Sequence, residues 1–141
     1  MRRDLSVLII TAYNKRQTPK GRSLKIMYTI YHNPRCSKSR QALEILQKAK
    51  VEIEIVRYLE QPLNEEQLRA LLDQLSMTAE QLIRKGEDEF KQLKKSFDVL
   101  SEKQIIQAMV NNPKLIERPI VVAGDNAIVG RPPENIRSLL P

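Results

Sequence analysis

In 141 residues the sequence has no tryptophan, one cysteine, one histidine and four glycines. A single thiol can form neither an internal disulfide nor a cysteine-cluster zinc site, and one histidine adds little to a ligand set. The expectation is therefore no metal and a reducing, cytoplasmic setting. Aromatic residues make up 4% of the chain, too few for a base-stacking surface against single-stranded nucleic acid. No run approaches the roughly 20 apolar residues of a membrane-spanning helix. Neither nucleic acid nor a membrane is the expected partner, and a monomer is the expected state.

The net charge is +7, but it is unevenly placed. Residues 1–26 carry Arg2, Arg3, Lys15, Arg16, Lys20, Arg22 and Lys25 against Asp4 alone. The rest of the chain holds 17 basic and 16 acidic side chains. Such a body has no general polyanion signature, so an anion site in it must be a local cluster of a few arginines. The leader MRRDLSVLIITAY starts like a secretory signal. Its apolar run is brief, however, Asp4 interrupts the basic part and no clean small-x-small cleavage site follows. Residues 1–26 are read as a disordered basic extension, and residues 27–141 as one domain long enough to bury a core. A chain beginning at Met27 is expected to keep its melting temperature and activity. Loss of soluble protein on that truncation would make the leader part of the fold.

Periodicity then sets the elements. MYTIY, Met27 to Tyr31, reads as a strand. Ala42, Leu43, Ile45, Leu46 and Ala49 recur at helical spacing after Ser37. VEIEIVRY alternates apolar and charged residues, with Val51, Ile53 and Ile55 on one strand face. Strand, helix and strand make a βαβ unit with a parallel pair. Three helix-capping patterns follow, at Asn64-x-x-Gln67, Thr78-x-x-Gln81 and Ser101-x-x-Gln104. GEDEFKQLKKSFD reads as a short helix plus loop. RPIVVA, GDN and AIVG read as a hairpin, and Arg131-Pro132-Pro133-Glu134 opens a final helix. The expected fold class is α/β: a four-stranded mixed sheet in the order β-α-β, helical insertion, β-β-α.

The chemistry gathers in YHNPRCSKSR, where His32 and Cys36 lie four residues apart. Cys36 falls at the start of the first helix, where free N–H groups and the positive dipole end favour an anion. With cations nearby, such a site can bring a thiol pKa from about 8.5 to roughly 3.5–7.5. Arg35, Lys38 and Arg40 crowd the same turn, and Ser39 can hydrogen-bond the sulfur or a bound oxyanion. The alternative is a cysteine that serves only as a buried hydrophobe, although its polar neighbours disfavour that. His32 either orders the loop through ring hydrogen bonds or biases the thiol toward its anion. Arg84, Arg118 and Arg131 are candidate oxyanion ligands, because the guanidinium fork offers two donors to a tetrahedral anion.

Together, IYHNPRCSKSRQALEIL, YLEQP, LIRK and NPKLIERPIVV with GRPPE resemble, in order and spacing, the glutaredoxin-dependent arsenate reductase family. The similarity spans about residues 27–141. It implies a thioredoxin-like fold with a cis peptide at Arg118-Pro119. It implies that Cys36 attacks arsenate and that Arg84, Arg118 and Arg131 bind the oxyanion. His32 and Asn33 would shape the thiolate's surroundings, while Ser39 and Arg40 would support the anion pocket. With no second cysteine, glutathione must resolve the adduct and reduced glutaredoxin must complete the cycle. These are cosubstrates and partners, so no bound cofactor is implied. Two rivals share the fold. One is an Spx-type regulator that binds RNA polymerase, whose Cys-x-x-Cys switch is here Cys36-Ser37-Lys38-Ser39. The other is a glutathione-dependent thiol-disulfide reductase.

Overall fold

The structure is a computed structural model and describes residues 26–141. The expected extension over residues 1–26 thus lies outside the described residues, Ile26 excepted. The elements are β1 (Met27–Tyr31), α1 (Ser37–Lys48), β2 (Glu52–Val56), α2 (Glu65–Leu75), α3 (Ala79–Leu82), α4 (Glu102–Asn111), β3 (Ile120–Ala123) and β4 (Asn126–Val129). One sheet has the order β2-β1-β3-β4. The β1–β2 pair is parallel, and the β1–β3 and β3–β4 pairs are antiparallel. This is the mixed four-stranded sheet expected from the sequence.

Apolar residues cover both faces of the sheet. On one side, Tyr28, Ile30, Ala42, Leu46, Val121, Ala123 and Ile136 form a core under α1 and the C-terminal turn. On the other, Ile120 joins Leu68, Leu71, Leu72, Leu82, Ile106, Met109 and Leu115 from the helical insertion. Ile120 and Val121 belong to opposite cores because successive strand side chains point to opposite faces. All three expected capping boxes are formed. At Asn64, the side chain accepts from the Gln67 N–H at 2.7 Å, and Gln67 Oε1 accepts from the Asn64 N–H at 2.9 Å. Each box satisfies N–H groups that the first helical turn leaves without partners.

Ile53 and Ile55 share one face of β2 as expected, and on this edge strand Ile55 is 45% exposed. Two local expectations are corrected. The final helix, Pro133–Leu139, is 3₁₀ rather than α. Pro132 and Pro133 bring no N–H to its first turn, and the ladder starts with an i+3 bond from the Asn135 N–H to Pro132 O at 3.0 Å. The polar stretch after α3 holds two 3₁₀ turns, Asp88–Gln92 and Phe97–Val99. Phe90 and Phe97 anchor them to the core, edge to face at 5.1 Å between ring centroids.

Candidate active site

Strand direction assembles the site. β1 and β2 are parallel, so the segments leaving them emerge at one end of the sheet. β3 runs the other way and enters at that end, and β4 leaves there. The Cys36 loop after β1, Arg118 before β3 and Arg131 after β4 therefore meet. The carboxyl ends of parallel strands are the usual ligand-binding edge of an open α/β sheet.

Arg84 arrives by a different route. After its single turn, α3 gives way to extended backbone, and Ile83 bridges to Ile116. The Arg84 N–H donates to Leu115 O at 2.6 Å, and the Glu117 N–H donates to Leu82 O at 3.1 Å. This short antiparallel patch carries Arg84 across to Glu117 and Arg118. Two carboxylates then tie the arginines together. Glu117 Oε1 lies 2.5 Å from Arg84 Nη1, 3.6 Å from Arg131 Nε and 3.2 Å from the Arg118 N–H. Glu87 Oε2 accepts from Arg84 Nε at 3.0 Å and from Arg118 Nη1 at 3.4 Å. Arg131 Nη1 donates to the Arg118 carbonyl at 3.2 Å. The structure thus brings the three sequence-distant arginines into one network. Glu87 and Glu117 were not singled out in the sequence, where Glu117 stands beside Arg118 and Glu87 lies between Gly86 and Asp88.

Gly130 gives Arg131 its path. A Cβ there would sit 3.0 Å from Pro119 Cγ and 3.2 Å from Ile136 Cγ2, so a side chain would press on the turn that carries Arg131. Its N–H donates to Pro119 O at 2.8 Å. The Arg118-Pro119 peptide is cis, as the resemblance implied, and so is Arg131-Pro132.

Cys36 is the N-cap residue of α1 and is partly exposed. Burial pushes its thiol up, yet the balance is a lowered pKa. The Ser39 N–H, the Arg118 guanidinium and the Lys38 N–H all favour the thiolate and outweigh desolvation. The activating cation is therefore Arg118, far away in sequence. Arg35 and Arg40 are exposed, and Lys38 acts on the sulfur through its backbone. The helix terminus works as expected, while the local side-chain cations do not.

His32 is 6% exposed, and Ser39 is fully buried. Ser39 Oγ accepts from the Asn33 N–H at 3.0 Å and shares a 2.6 Å hydrogen bond with His32 Nδ1. Burial lowers the pKa of His32, and Arg57 and Arg40 lower it further. The imidazole is accordingly neutral near pH 7 and braces the loop. The Ser39 hydroxyl is committed to this brace, so only its backbone N–H faces the sulfur. Asn33 Oδ1 accepts from the Arg35 N–H at 3.0 Å, and Asn33 O accepts from the Cys36 N–H at 2.9 Å, which closes the turn. Arg40 is a staple, donating from Nη1 to Pro34 O at 2.9 Å. Ser39 and Arg40 thus hold the Cys36 loop through their side chains. Among the described residues, no cluster of His, Cys, Asp and Glu could hold a metal ion, and no helix is long and apolar enough to cross a membrane.

The lowered pKa predicts a measurable reactivity profile. The rate of iodoacetamide alkylation follows the thiolate fraction, so its midpoint is expected below the free-cysteine value of about 8.5. A midpoint at or above that value would remove the activated thiolate.

Comparison with known proteins agrees with this layout. Residues 31–139 match the ArsC family. The chain is 53% identical over 112 residues to the uncharacterized protein YfgD of Escherichia coli K12, covering 79% of this chain and 94% of that one. It is 39% identical over 112 residues to an arsenate reductase of Neisseria meningitidis, covering 79% of this chain and 96% of that protein. The solved arsenate reductase from Vibrio cholerae superposes with a TM-score of 0.79 at 38% identity, covering 83% of this chain and all of that one. The fold is thioredoxin-like. The match starts at the last residue of β1 and ends with the C-terminal 3₁₀ turn, so it takes in the Cys36 loop and all three arginines, and the chain belongs to the ArsC family.

Proposed function

We propose that the protein reduces arsenate to arsenite, with Cys36 as nucleophile and Arg84, Arg118 and Arg131 as the oxyanion ligands. The observation that carries this reading is the meeting of a helix-capping thiol, biased toward its anion, with three arginines at one end of the sheet. A thiolate repels an incoming oxyanion. The guanidinium groups offset that repulsion and offer paired donors to a tetrahedral anion. The arsenate reductases among the relatives carry the same activity in their names.

The Cys36 thiolate attacks arsenic in dihydrogen arsenate. An As–O bond breaks, and the departing oxygen takes up a proton and leaves as water. The adduct still holds arsenic as As(V), so two electrons must come from thiols. The chain has one cysteine and cannot supply a second thiol. Glutathione provides it: its sulfur bonds to the Cys36 sulfur, the As–S bond breaks, and its electron pair stays on arsenic. Arsenite leaves after protonation, and the mixed disulfide is reopened by reduced glutaredoxin, which regenerates the thiolate.

The test is NADPH oxidation in a mixture of arsenate, glutathione, glutaredoxin and glutathione reductase. Turnover that needs arsenate and both thiol components is the expected result. Turnover with a mixed disulfide and none with arsenate would favour the thiol-disulfide reductase. Retention of RNA polymerase with no turnover would favour the Spx-type regulator.

A further inference from the structure

One polar atom at this end of the sheet lacks a protein partner and has no part in the reaction described so far. Tyr58 lies two residues beyond β2 and is 2% exposed. Its ring packs in the core of the helical insertion with Ile116 and Ile120. No acceptor stands in hydrogen-bonding geometry to its buried hydroxyl. A buried donor without an acceptor costs about 1–3 kcal/mol, and native proteins seldom leave one so. Arg118 Nε, also buried, has no partner either.

The place of this hydroxyl is informative. The His32 N–H donates to Val56 O at 2.8 Å, which zips the start of the Cys36 loop to the end of β2, two residues before Tyr58. Burial pushes the phenol up to about 12 and the Cys36 charge pushes the same way, while Arg118, Arg84 and the Asn33 side chain, which offers its amide N–H to the phenol oxygen, pull it down. Tyr58 therefore keeps its proton near neutral pH, where Cys36 is biased toward its thiolate. It is a buried neutral donor within electrostatic reach of the thiol and two arginines, and no acceptor in the protein stands in hydrogen-bonding geometry to it. A bound oxyanion is the acceptor that this set of groups fits.

We propose that the Tyr58 hydroxyl is a fourth oxyanion ligand, donating to an oxygen of the tetrahedral anion held by Arg84, Arg118 and Arg131. The assignment rests on the oxyanion-site reading above. Tyr58 follows β2 as Cys36 follows β1, so the topology that delivers the thiol also delivers the phenol. As a neutral donor it adds a directed hydrogen bond without further depressing the thiol. It also leaves the free protein with a buried group that is satisfied only on binding.

This gives Tyr58→Phe opposite effects on stability and binding. Phenylalanine keeps the ring in the core and removes only the unpartnered hydroxyl. Its melting temperature is expected to equal or exceed that of the unaltered protein, because loss of an unsatisfied polar group is neutral or stabilising. Anion binding is expected to weaken about tenfold. The measurement is protection of Cys36 from iodoacetamide by inorganic phosphate, a tetrahedral anion that thiols do not reduce, together with KM and kcat for arsenate. Weaker protection and a raised KM, at an unchanged alkylation midpoint and an undiminished melting temperature, are expected. A lower melting temperature with unchanged protection would make Tyr58 purely structural and overturn the assignment. So would a raised alkylation midpoint with unchanged protection, which would show that the phenol serves the sulfur. Equal protection in both proteins removes Tyr58 alone. Absence of protection by phosphate or arsenate in the unaltered protein removes the oxyanion site itself.

Discussion

Cys36→Ser is expected to abolish arsenate-dependent NADPH oxidation, with a loss of at least about 10³-fold, while the protein stays folded. Nucleophile knockouts in enzymes whose groups act together reach this size or more. A serine hydroxyl is not ionised near neutral pH and cannot be oxidised to a disulfide, so neither adduct formation nor electron transfer to arsenic survives. The fold should tolerate the change. Serine is a preferred N-cap, and position 36 already has the extended backbone of one, with φ −93° and ψ 123°. The melting temperatures of the two proteins should differ by an amount that depends on pH. The folded thiol has a lowered pKa, so its linked stability is complete above the unfolded thiol's pKa. It is lost as pH falls through the lowered folded value. Serine does not titrate, so the gap should change across that window and flatten below it. Retained arsenate reduction in the serine variant would reject the thiol mechanism.

Arg118→Ala is expected to lower kcat/KM for arsenate about 10- to 150-fold, the size of one lost charge-assisted hydrogen bond to substrate. It should also raise the alkylation midpoint of Cys36, because Arg118, a proposed oxyanion ligand, also favours the thiolate. Arg84→Ala and Arg131→Ala should lower kcat/KM and leave the midpoint near its original value, since neither is among the groups that favour the thiolate. Arg118→Lys should recover part of both effects, because a point charge cannot reproduce the guanidinium fork. Removing all three should cost less than the product of the single losses, since Glu87 and Glu117 bind them into one network. Wild-type efficiency in all three alanine variants would end the anion-pocket assignment. Loss of efficiency at Arg118 with an unmoved midpoint would separate its binding role from its effect on the thiol.

Much of the fold was legible in the residues because its determinants are local. Alternation marked the strands, apolar spacing marked α1, α2 and α4, and the three Ser, Thr or Asn caps with Gln three positions on set the helix starts. Cys36 was legible as a candidate for the same reason: a helix N-terminus is a local electrostatic feature, and the pattern places the thiol there. Local reading was less good where pairing or exposure decides. The last helix tightened to 3₁₀ behind two prolines, and the polar stretch after α3 folded into two 3₁₀ turns held by Phe90 and Phe97.

Only the tertiary structure decided which charges act on which groups. The cations next to Cys36 in sequence are exposed or contribute backbone, and the one that favours its thiolate comes from the segment before β3. Ser39 and Arg40 were read as supports of the anion pocket, and the structure shows which loop groups their side chains brace. Glu87 was not singled out in the sequence, and Glu117 and Tyr58 stood inside matching stretches, NPKLIERPIVV and YLEQP, without a role of their own. The places of Glu87 and Glu117 in the network follow from strand order and from the bridge that turns residues 82–84 alongside 115–117. Periodicity and capping depend on neighbours three or four positions away, and the chain states those directly. Charge pairing and burial act through space between segments far apart in sequence, so they exist only once the sheet has brought those segments to one end.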